Sequence, residues 1–468
     1  MKKTFTRAVS IAMSLSMSLL LLAACDSKSK TTDKPQTAQE DTSKKAPVTM
    51  STVEVWTNNA SSKAEDVKMV DDFNNGPGKE KGIQIDYKVQ GGDYANTLQV
   101  ALAANQAPAL FKSNVGSFTI PQLAKTGWIV AIEDMPGGKD FVKKYDGYLQ
   151  PTNNTFNGKT YTVPFAVTTL AVAYNKDLLK KNGYSKPPET WTELREMAKT
   201  ITKNGGGKEF GFIEGLKSNI ASQNGLFQYV SSVGHNEFDT KTGKFTFTEF
   251  KPFYQLWVDM GKDGSIFPGC EGLNNDQARA QFAEGNIGFK FSASYDVGVW
   301  KDQFPTKMDW GICRPVADPA KNYKNYTYQT PSIVFGKKAL EMPEKSMEVF
   351  KLWNAEDTLV KLYEAGKYIP YKQEIIKMSK NGSNIKNWAE FADLSNSYIS
   401  PPNPTGEIKL EGDNASAVVQ KIIVGAVTVD QGMADLDKRY NAALEKAVSG
   451  GVDMTPYVDK NFDTSIKK

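Results

Sequence analysis

The side chains with the most distinctive chemistry are rare in this sequence, which has three cysteines and one histidine. His235 lies in a Ser-Val-Gly-His-Asn stretch that indicates an exposed loop, and no Gly-x-Ser-x-Gly elbow supplies a nucleophile for a triad. A His-Glu-x-x-His pair and a complete P-loop are also missing from the sequence. These patterns together favour binding over catalysis, and we predict no catalytic residue, metal or cofactor.

Cys25 follows an N-terminal segment that is typical of an export signal. Lys2, Lys3 and Arg7 precede an apolar run over residues 8–22, which is too short to span a membrane comfortably. Small residues directly before a cysteine are what lipoprotein signal peptidase recognises, so we expect cleavage before Cys25 and a diacylglycerol on its thiol. An ordinary secretory signal with an unrelated cysteine is the alternative.

The segment after Cys25 is polar and has almost no large apolar side chain up to residue 49. Such a composition cannot bury enough surface to offset its ordering entropy. We therefore predict a signal peptide over 1–24 and a disordered tether over 25–49, with the protein lipid-anchored on the extracytoplasmic face of the cell membrane. Whether the cell has one membrane or two stays open.

The formal net charge falls from +4 to +1 when Lys2, Lys3 and Arg7 leave with the signal peptide. A nearly neutral protein has no electrostatic basis for nucleic-acid binding. Cys270 and Cys313 show no metal-binding spacing, and they either pair or remain two separate buried thiols.

The first 60 residues after the tether alternate between strand and helix patterns. Residues 53–56, 83–89 and 109–111 are predicted strands, and helical patterns separate them. This order predicts a parallel sheet with helical crossovers, in which ligands lie beyond the carboxyl ends of the strands. Asn59 and Asn114 follow the first and third strands, and Asp93 precedes the second helix.

Several later segments resemble the extracytoplasmic sugar-binding proteins of ABC importers, the large maltodextrin-binding type of extracellular solute-binding protein family 1. The resemblance extends from about residue 52 to the end. The motifs that carry it are NGKTYTVP at 157–164, LAVAYNKDLL at 170–179, PETWTEL at 188–194, AQFAEGNIG at 280–288 and KYIP at 367–370.

The resemblance implies an α/β, two-lobed periplasmic-binding-protein-like fold of the class II type. Its hinged lobes each contain a central β-sheet flanked by helices. It places residues 50–166 and 331–379 in the N-terminal lobe and residues 167–330 and 380–468 in the C-terminal lobe. The implied protein is a monomer that binds an oligosaccharide, such as a maltodextrin, and delivers it to ABC permease subunits.

A sugar site needs planar amides and carboxylates for hydroxyl groups and aromatic rings for C–H faces. By family position, Tyr295 takes the place of a stacking aromatic residue, and the crossing segments supply further candidates. The predicted binding residues are Asn59, Asp93, Asn114, Thr168, Asn224, Tyr295, Tyr328 and Gln329.

Other functions remain open at this stage. A different solute, such as a polyamine or a phosphodiester, would need clustered acids or arginines in the cleft. A surface glycoside hydrolase would need two carboxylates in a specific geometry, and nothing in the sequence marks such a pair among its 53 acidic residues. An adhesin is the third alternative.

Overall fold

The computed structural model describes residues 49–90, 94–113, 118–217, 219–380 and 384–466, with only the backbone described at 60 and 219–224. The strands are β1 Ser51–Thr57, β2 Ile83–Val89, β3 Leu110–Lys112, β4 Ile129–Val130, β5 Thr155–Phe156, β6 Lys159–Thr160, β7 Pro164–Asn175, β8 Phe210–Ile213, β9 Phe238–Asp239, β10 Lys244–Phe245, β11 Ile287–Ala293, β12 Trp310–Cys313, β13 Asn325–Pro331, β14 Ile333–Gly336, β15 Ile369–Pro370 and β16 Ser397–Ile399. The α-helices are α1 Lys63–Asn75, α2 Pro77–Lys81, α3 Tyr94–Ala103, α4 Ile120–Lys125, α5 Gly138–Lys143, α6 Lys176–Lys181, α7 Trp191–Gly205, α8 Asn219–Val233, α9 Lys251–Lys262, α10 Asn275–Ala283, α11 Asp296–Asp302, α12 Pro343–Trp353, α13 Glu356–Glu364, α14 Gln373–Met378, α15 Trp388–Ala392, α16 Ala415–Ile423 and α17 Val429–Ser449.

The first sheet has the strand order β2-β1-β3-β14-β4. As the sequence predicts, β1 pairs in parallel with both β2 and β3, whereas β14 runs antiparallel to β3 and β4. Val53 and Val55 alternate with polar residues along β1 and are fully buried, because they face the helices that cover the sheet. They share one core with Phe73 of α1 and Phe350 of α12.

The second sheet is built around β7, the longest strand, in the order β16-β13-β7-β11-β8. β12 and β15 also pair with β7. Every residue of β7 except Tyr174 is buried, as expected for a central strand covered on both faces. A separate aromatic core packs here, and Trp191 and Trp257 belong to it, as the helical spacing around them predicts.

The start and end of α7 and the β9–β10 turn follow from residues that are close in sequence. Thr190 Oγ1 accepts the Glu193 N–H at 3.1 Å, and Glu193 Oε2 accepts the Thr190 N–H at 3.3 Å, which forms the predicted capping box of α7. Gly206 ends that helix at φ 56°, and Gly243 closes the β9–β10 hairpin at φ 71°.

The structure places three residues with distinctive chemistry: His235, Cys270 and Cys313. The prediction that His235 is exposed is wrong, because only 15% of its side chain is accessible and Nε2 lies 3.2 Å from Glu249 Oε2. Cys270 is buried, Cys313 is partly buried, and both are free thiols. The open question of their pairing is therefore answered in favour of separate thiols.

We call the half of the molecule built on the first sheet the first lobe, and the half built on the second sheet the second lobe. The chain changes lobe near the start of β7, since Val163 and Phe165 still pack in the first core whereas Leu170 packs in the second. The exact boundaries given by the sequence remain a prediction. None of the described helices has the length and apolar character that crossing a bilayer demands.

Candidate functional site

One polar and aromatic cluster lies in the second lobe, where β7, β13 and the end of β11 meet. Thr168 of β7 is paired with Tyr328 of β13 in the strand register, and its Oγ1 lies 3.0 Å from Thr330 Oγ1. The Tyr328 hydroxyl lies near the side chains of Thr168 and Tyr295, and burial raises the pKa of Tyr328 well above its usual value. Three predicted binding residues therefore come together: Thr168, Tyr295 and Tyr328.

The ring of Tyr295 is held in place by charged neighbours. The Arg279 guanidinium lies 5.3 Å from the centre of this ring, a cation–π distance, and its Nε donates to Asp296 Oδ1 at 2.7 Å. Asp296 begins α11 and is 1% exposed, and its Oδ2 accepts the Ser292 hydroxyl at 3.0 Å. The loop after β11 is thus rigidly placed and presents an aromatic ring at the end of the sheet.

Gln329 does not join this cluster. Adjacent residues of a strand point to opposite faces, so Gln329 lies on the other side of β13 from Tyr328. Its Oε1 accepts the Asn154 amide at 2.8 Å, and the side chain is 8% exposed. The structure therefore places Gln329 as a contact to the segment before β5.

A second cluster lies in the first lobe, at the carboxyl ends of β1, β2 and β3. Asn59 is 9% exposed, and its Oδ1 accepts the Lys112 ammonium at 2.6 Å. Asn59 also lies close to Asp66, whose Oδ2 accepts the hydroxyl of Tyr87 at 2.8 Å and that of Ser62 at 2.9 Å. One predicted residue, Asn59, therefore connects a lysine and an aspartate that the sequence analysis missed.

Burial shifts the pKa values of both charged groups in this cluster. Burial raises the pKa of Asp66 to about 6, against hydrogen bonds from Tyr87 and Ser62 that lower it. Burial lowers the pKa of Lys112 to about 8, and the negative charge of Asp66 opposes this change. Near neutral pH Asp66 is thus mostly ionised and Lys112 mostly protonated, and the two opposite charges stabilise each other.

Sequence signals for these two residues existed. Asp66 lies four residues before Val70 and seven before Phe73, so it falls on the apolar face of the predicted helix. Lys112 directly follows the buried pair Leu110 and Phe111 at the end of a strand. A charged residue in either pattern needs a partner, and each partner lies on a distant part of the chain.

The two clusters lie beside the contact between the lobes, because Tyr295 directly precedes α11 and Asn59 directly precedes residues 60–62. Helix α11 of the second lobe packs against residues 60–62 of the first lobe, immediately before α1. Tyr368, close to the crossing between the lobes, lies 3.4 Å from Ser62 through its hydroxyl and packs edge-on against Phe165. Candidate binding residues from both lobes therefore lie near the lobe junction.

The remaining candidates are not placed by the structure. Cys25, Asp93 and Asn114 lie outside the described residues, and Asn224 lies on α8 where only the backbone is described. Two cavities among the described residues contain none of the predicted binding residues. One is about 10 Å³ and lined by Phe227 and Arg314, and the other is a groove of about 730 Å³ between α5 and α13.

Comparison with known proteins agrees with this architecture. A family model described as bacterial extracellular solute-binding protein matches residues 57–346. The sn-glycerol-3-phosphate-binding periplasmic protein of Agrobacterium fabrum is 29% identical over 248 residues, 49% of this chain and 54% of that protein. The maltotriose-binding protein of Pyrococcus abyssi is 24% identical over 331 residues, 67% of this chain and 65% of that protein.

A similar fold is found in the crystal structure of an ABC transporter solute-binding protein from Thermotoga lettingae bound with α-D-tagatose. The TM-score is 0.65 at 17% sequence identity, and the match covers 84% of this chain and 99% of that chain. At this identity the likeness concerns the fold, which is that of two-lobed α/β binding proteins.

Proposed function

Because the chain belongs to the bacterial extracellular solute-binding protein family, we propose that it captures an oligosaccharide between its lobes and delivers it to an ABC permease. Proteins of this family act outside the cytoplasm and bind substrates for transport. The observation that carries the proposal is the contact between the lobes, at which α11, the helix after Tyr295, packs against residues 60–62, the turn after Asn59.

The chemistry of the clusters suits a polyhydroxylated ligand. Asn59, Asp66 and Lys112 supply an amide, a carboxylate and an ammonium group, which between them accept and donate hydrogen bonds to adjacent hydroxyls. Tyr295 and Tyr328 supply aromatic surface for the C–H faces of a sugar ring. Closure of the lobes would exclude water and strengthen these hydrogen bonds.

The site we propose extends the residues predicted from sequence. It contains Asn59, Thr168, Tyr295 and Tyr328 together with Asp66 and Lys112, and it includes the unplaced candidates Asp93, Asn114 and Asn224. We assign Gln329 a structural role. We retain the proposals of a lipid anchor on Cys25, a tether over 25–49, the predicted lobe boundaries, a monomeric state and the absence of turnover.

Lys112 supports a second candidate ligand, a phosphorylated polyol such as sn-glycerol-3-phosphate. An ammonium group in the binding cluster favours an anion, and one relative is named for that solute. The Asp66 carboxylate next to Lys112 offsets this positive charge, so we rank a neutral sugar first.

A thermal-shift panel on the mature protein separates these candidates. The panel contains maltotriose, chito- and xylo-oligosaccharides, α-D-tagatose and sn-glycerol-3-phosphate, because a ligand bound only by the folded state raises the melting temperature. We expect the melting temperature to rise with an oligosaccharide, and we expect Asp66→Asn and Tyr295→Ala to make this rise smaller. A rise with sn-glycerol-3-phosphate alone would favour the second candidate, and release of shorter sugars, seen by chromatography, would indicate a hydrolase.

A further inference from the structure

Lys367 occupies an unusual position between the two lobes. It lies in the turn between α13 and β15, so that Leu362 before it packs in the first core and Ile369 after it packs in the second. Only 2% of its side chain is accessible to solvent. A lysine is almost never this buried unless its ammonium group is paired.

The ammonium group of Lys367 is paired with one carboxylate from each lobe. Nζ lies 2.5 Å from Asp302 Oδ2 at the end of α11 in the second lobe, and 3.5 Å from Glu65 Oε1 in the first turn of α1 in the first lobe. The stem of Lys367 packs beside Gly298 of α11, where an added Cβ would lie 3.3 Å from both Cδ and Nζ. The contact is therefore closely fitted on the second-lobe side.

Separation of the lobes would break this arrangement. A buried ammonium group that loses a carboxylate partner retains its desolvation penalty without the compensating attraction. Glu65 moves with α1, and Asp302 moves with α11, so both partners stay within reach of Lys367 only while the lobes are in contact. Charge pairing at this point thus favours the closed arrangement over an open one.

We propose that Lys367 is a positioning residue that holds the lobes closed on the ligand through Glu65 and Asp302. This inference rests on the proposed function, since it assigns the residue that retains the captured solute. Among the described residues, Lys367 forms no hydrogen bond or ion pair with a proposed binding residue, and it acts by stabilising the closed state. It therefore affects the release rate of any ligand, whatever the chemistry of the binding clusters.

The test compares ligand kinetics of Lys367→Met and Asp302→Asn with those of the unmodified protein, using maltotriose or the best oligosaccharide of the panel. We expect the dissociation rate to rise about tenfold with the association rate unchanged, because a tenfold smaller closed fraction weakens apparent affinity by the same factor. Asp302 is 47% exposed, so its variant keeps the fold even if Lys367→Met does not.

A matched control is Lys345→Met. Lys345 is also partly buried, but its ammonium group donates to Ser51 Oγ and Gly82 O at 2.9 Å, and both acceptors belong to the first lobe. We expect the Lys345→Met variant to release the ligand at the same rate as the unmodified protein. The proposal would be overturned if Asp302→Asn released the ligand at the same rate as the unmodified protein. It would also be overturned if Lys345→Met raised the dissociation rate as much as Lys367→Met or Asp302→Asn does.

A ligand-independent experiment separates failure of the sugar proposal from failure of this one. In the double variant Glu65→Cys/Asp302→Cys, a short bismaleimide forms a thioether with each cysteine and traps the contact irreversibly whenever the lobes meet as described. The unmodified protein gives the background from Cys270 and Cys313. If no sugar binds but the crosslink forms, the proposed function fails and the lobe contact stands. Because trapping is irreversible, crosslink accumulates even when the loss of both carboxylates makes closure rare. If no crosslink forms at all, the lobes do not meet at these positions and the role of Lys367 is wrong.

Discussion

Asp66 makes a quantitative prediction about the pH dependence of stability. Its pKa rises from an ordinary 3.8 to about 6 because the carboxyl group is buried. For a group whose pKa is higher in the folded state, the stabilisation is fully present below the unfolded pKa and is lost as pH rises through the folded pKa. The window is therefore about pH 4 to 6, and a shift of this size corresponds to about 3 kcal/mol.

The perturbation is Asp66→Asn, which keeps the shape of the side chain and removes the titrating proton. As the pH rises from 4 to 7, the free energy of unfolding of the unmodified protein should fall by about 3 kcal/mol relative to that of Asp66→Asn. The difference between the two proteins isolates Asp66, because the other described acids whose pKa is raised by burial, Glu214 and Glu237, are present in both.

The assay is urea-induced unfolding at half-unit pH steps, followed by tryptophan fluorescence. A carbon-13 carboxyl titration of Asp66 gives its pKa independently. Parallel stability curves for the two proteins across this pH range would refute the assigned burial of the carboxyl group, and so would a carboxyl titration centred near pH 4.

Three further predictions concern single residues elsewhere. Tyr295→Ala should weaken oligosaccharide binding about tenfold in calorimetry, because it removes aromatic surface. Tyr295→Phe keeps the ring and should bind more tightly than Tyr295→Ala. An equal loss of affinity in both variants would contradict a stacking role. Lys290→Met should lower the free energy of unfolding in urea by about 3–5 kcal/mol, because it leaves the buried Glu214 carboxylate unpaired. In the unmodified protein, the Lys290 ammonium lies 3.0 Å from Glu214 Oε1. A decrease below about 1 kcal/mol would be inconsistent with this pairing. Cys25→Ala should move the protein from the membrane fraction to the soluble fraction, and a variant still at the membrane would exclude lipid tethering.

Patterns confined to one element were sufficient to predict much of the fold. Alternating Val53 and Val55 predict a half-buried strand, and Thr190 with Glu193 predicts a helix start, because both depend on side-chain direction over a few residues. The parallel pairing of β1 with β2 and β3 follows from the helices between them.

Part of the candidate site could also be predicted. The carboxyl ends of parallel strands identify Asn59, and the family resemblance identifies Thr168, Tyr295 and Tyr328, which the structure brings together. The resemblance could not separate Tyr328 from Gln329, because a one-residue difference along a strand reverses the face and the register becomes known only when β13 pairs with β7.

The sequence by itself thus determined the elements, the family and the absence of any recognisable catalytic motif. It also determined the near-neutral charge of the chain from Cys25 onward. Tertiary structure decided which charges meet: Asp66 with Lys112 through Asn59, and Lys367 with Glu65 and Asp302. The physical reason is that an ion pair acts across a few ångströms of space, and only the packing of two lobes brings residues as distant as Glu65 and Lys367 to that separation.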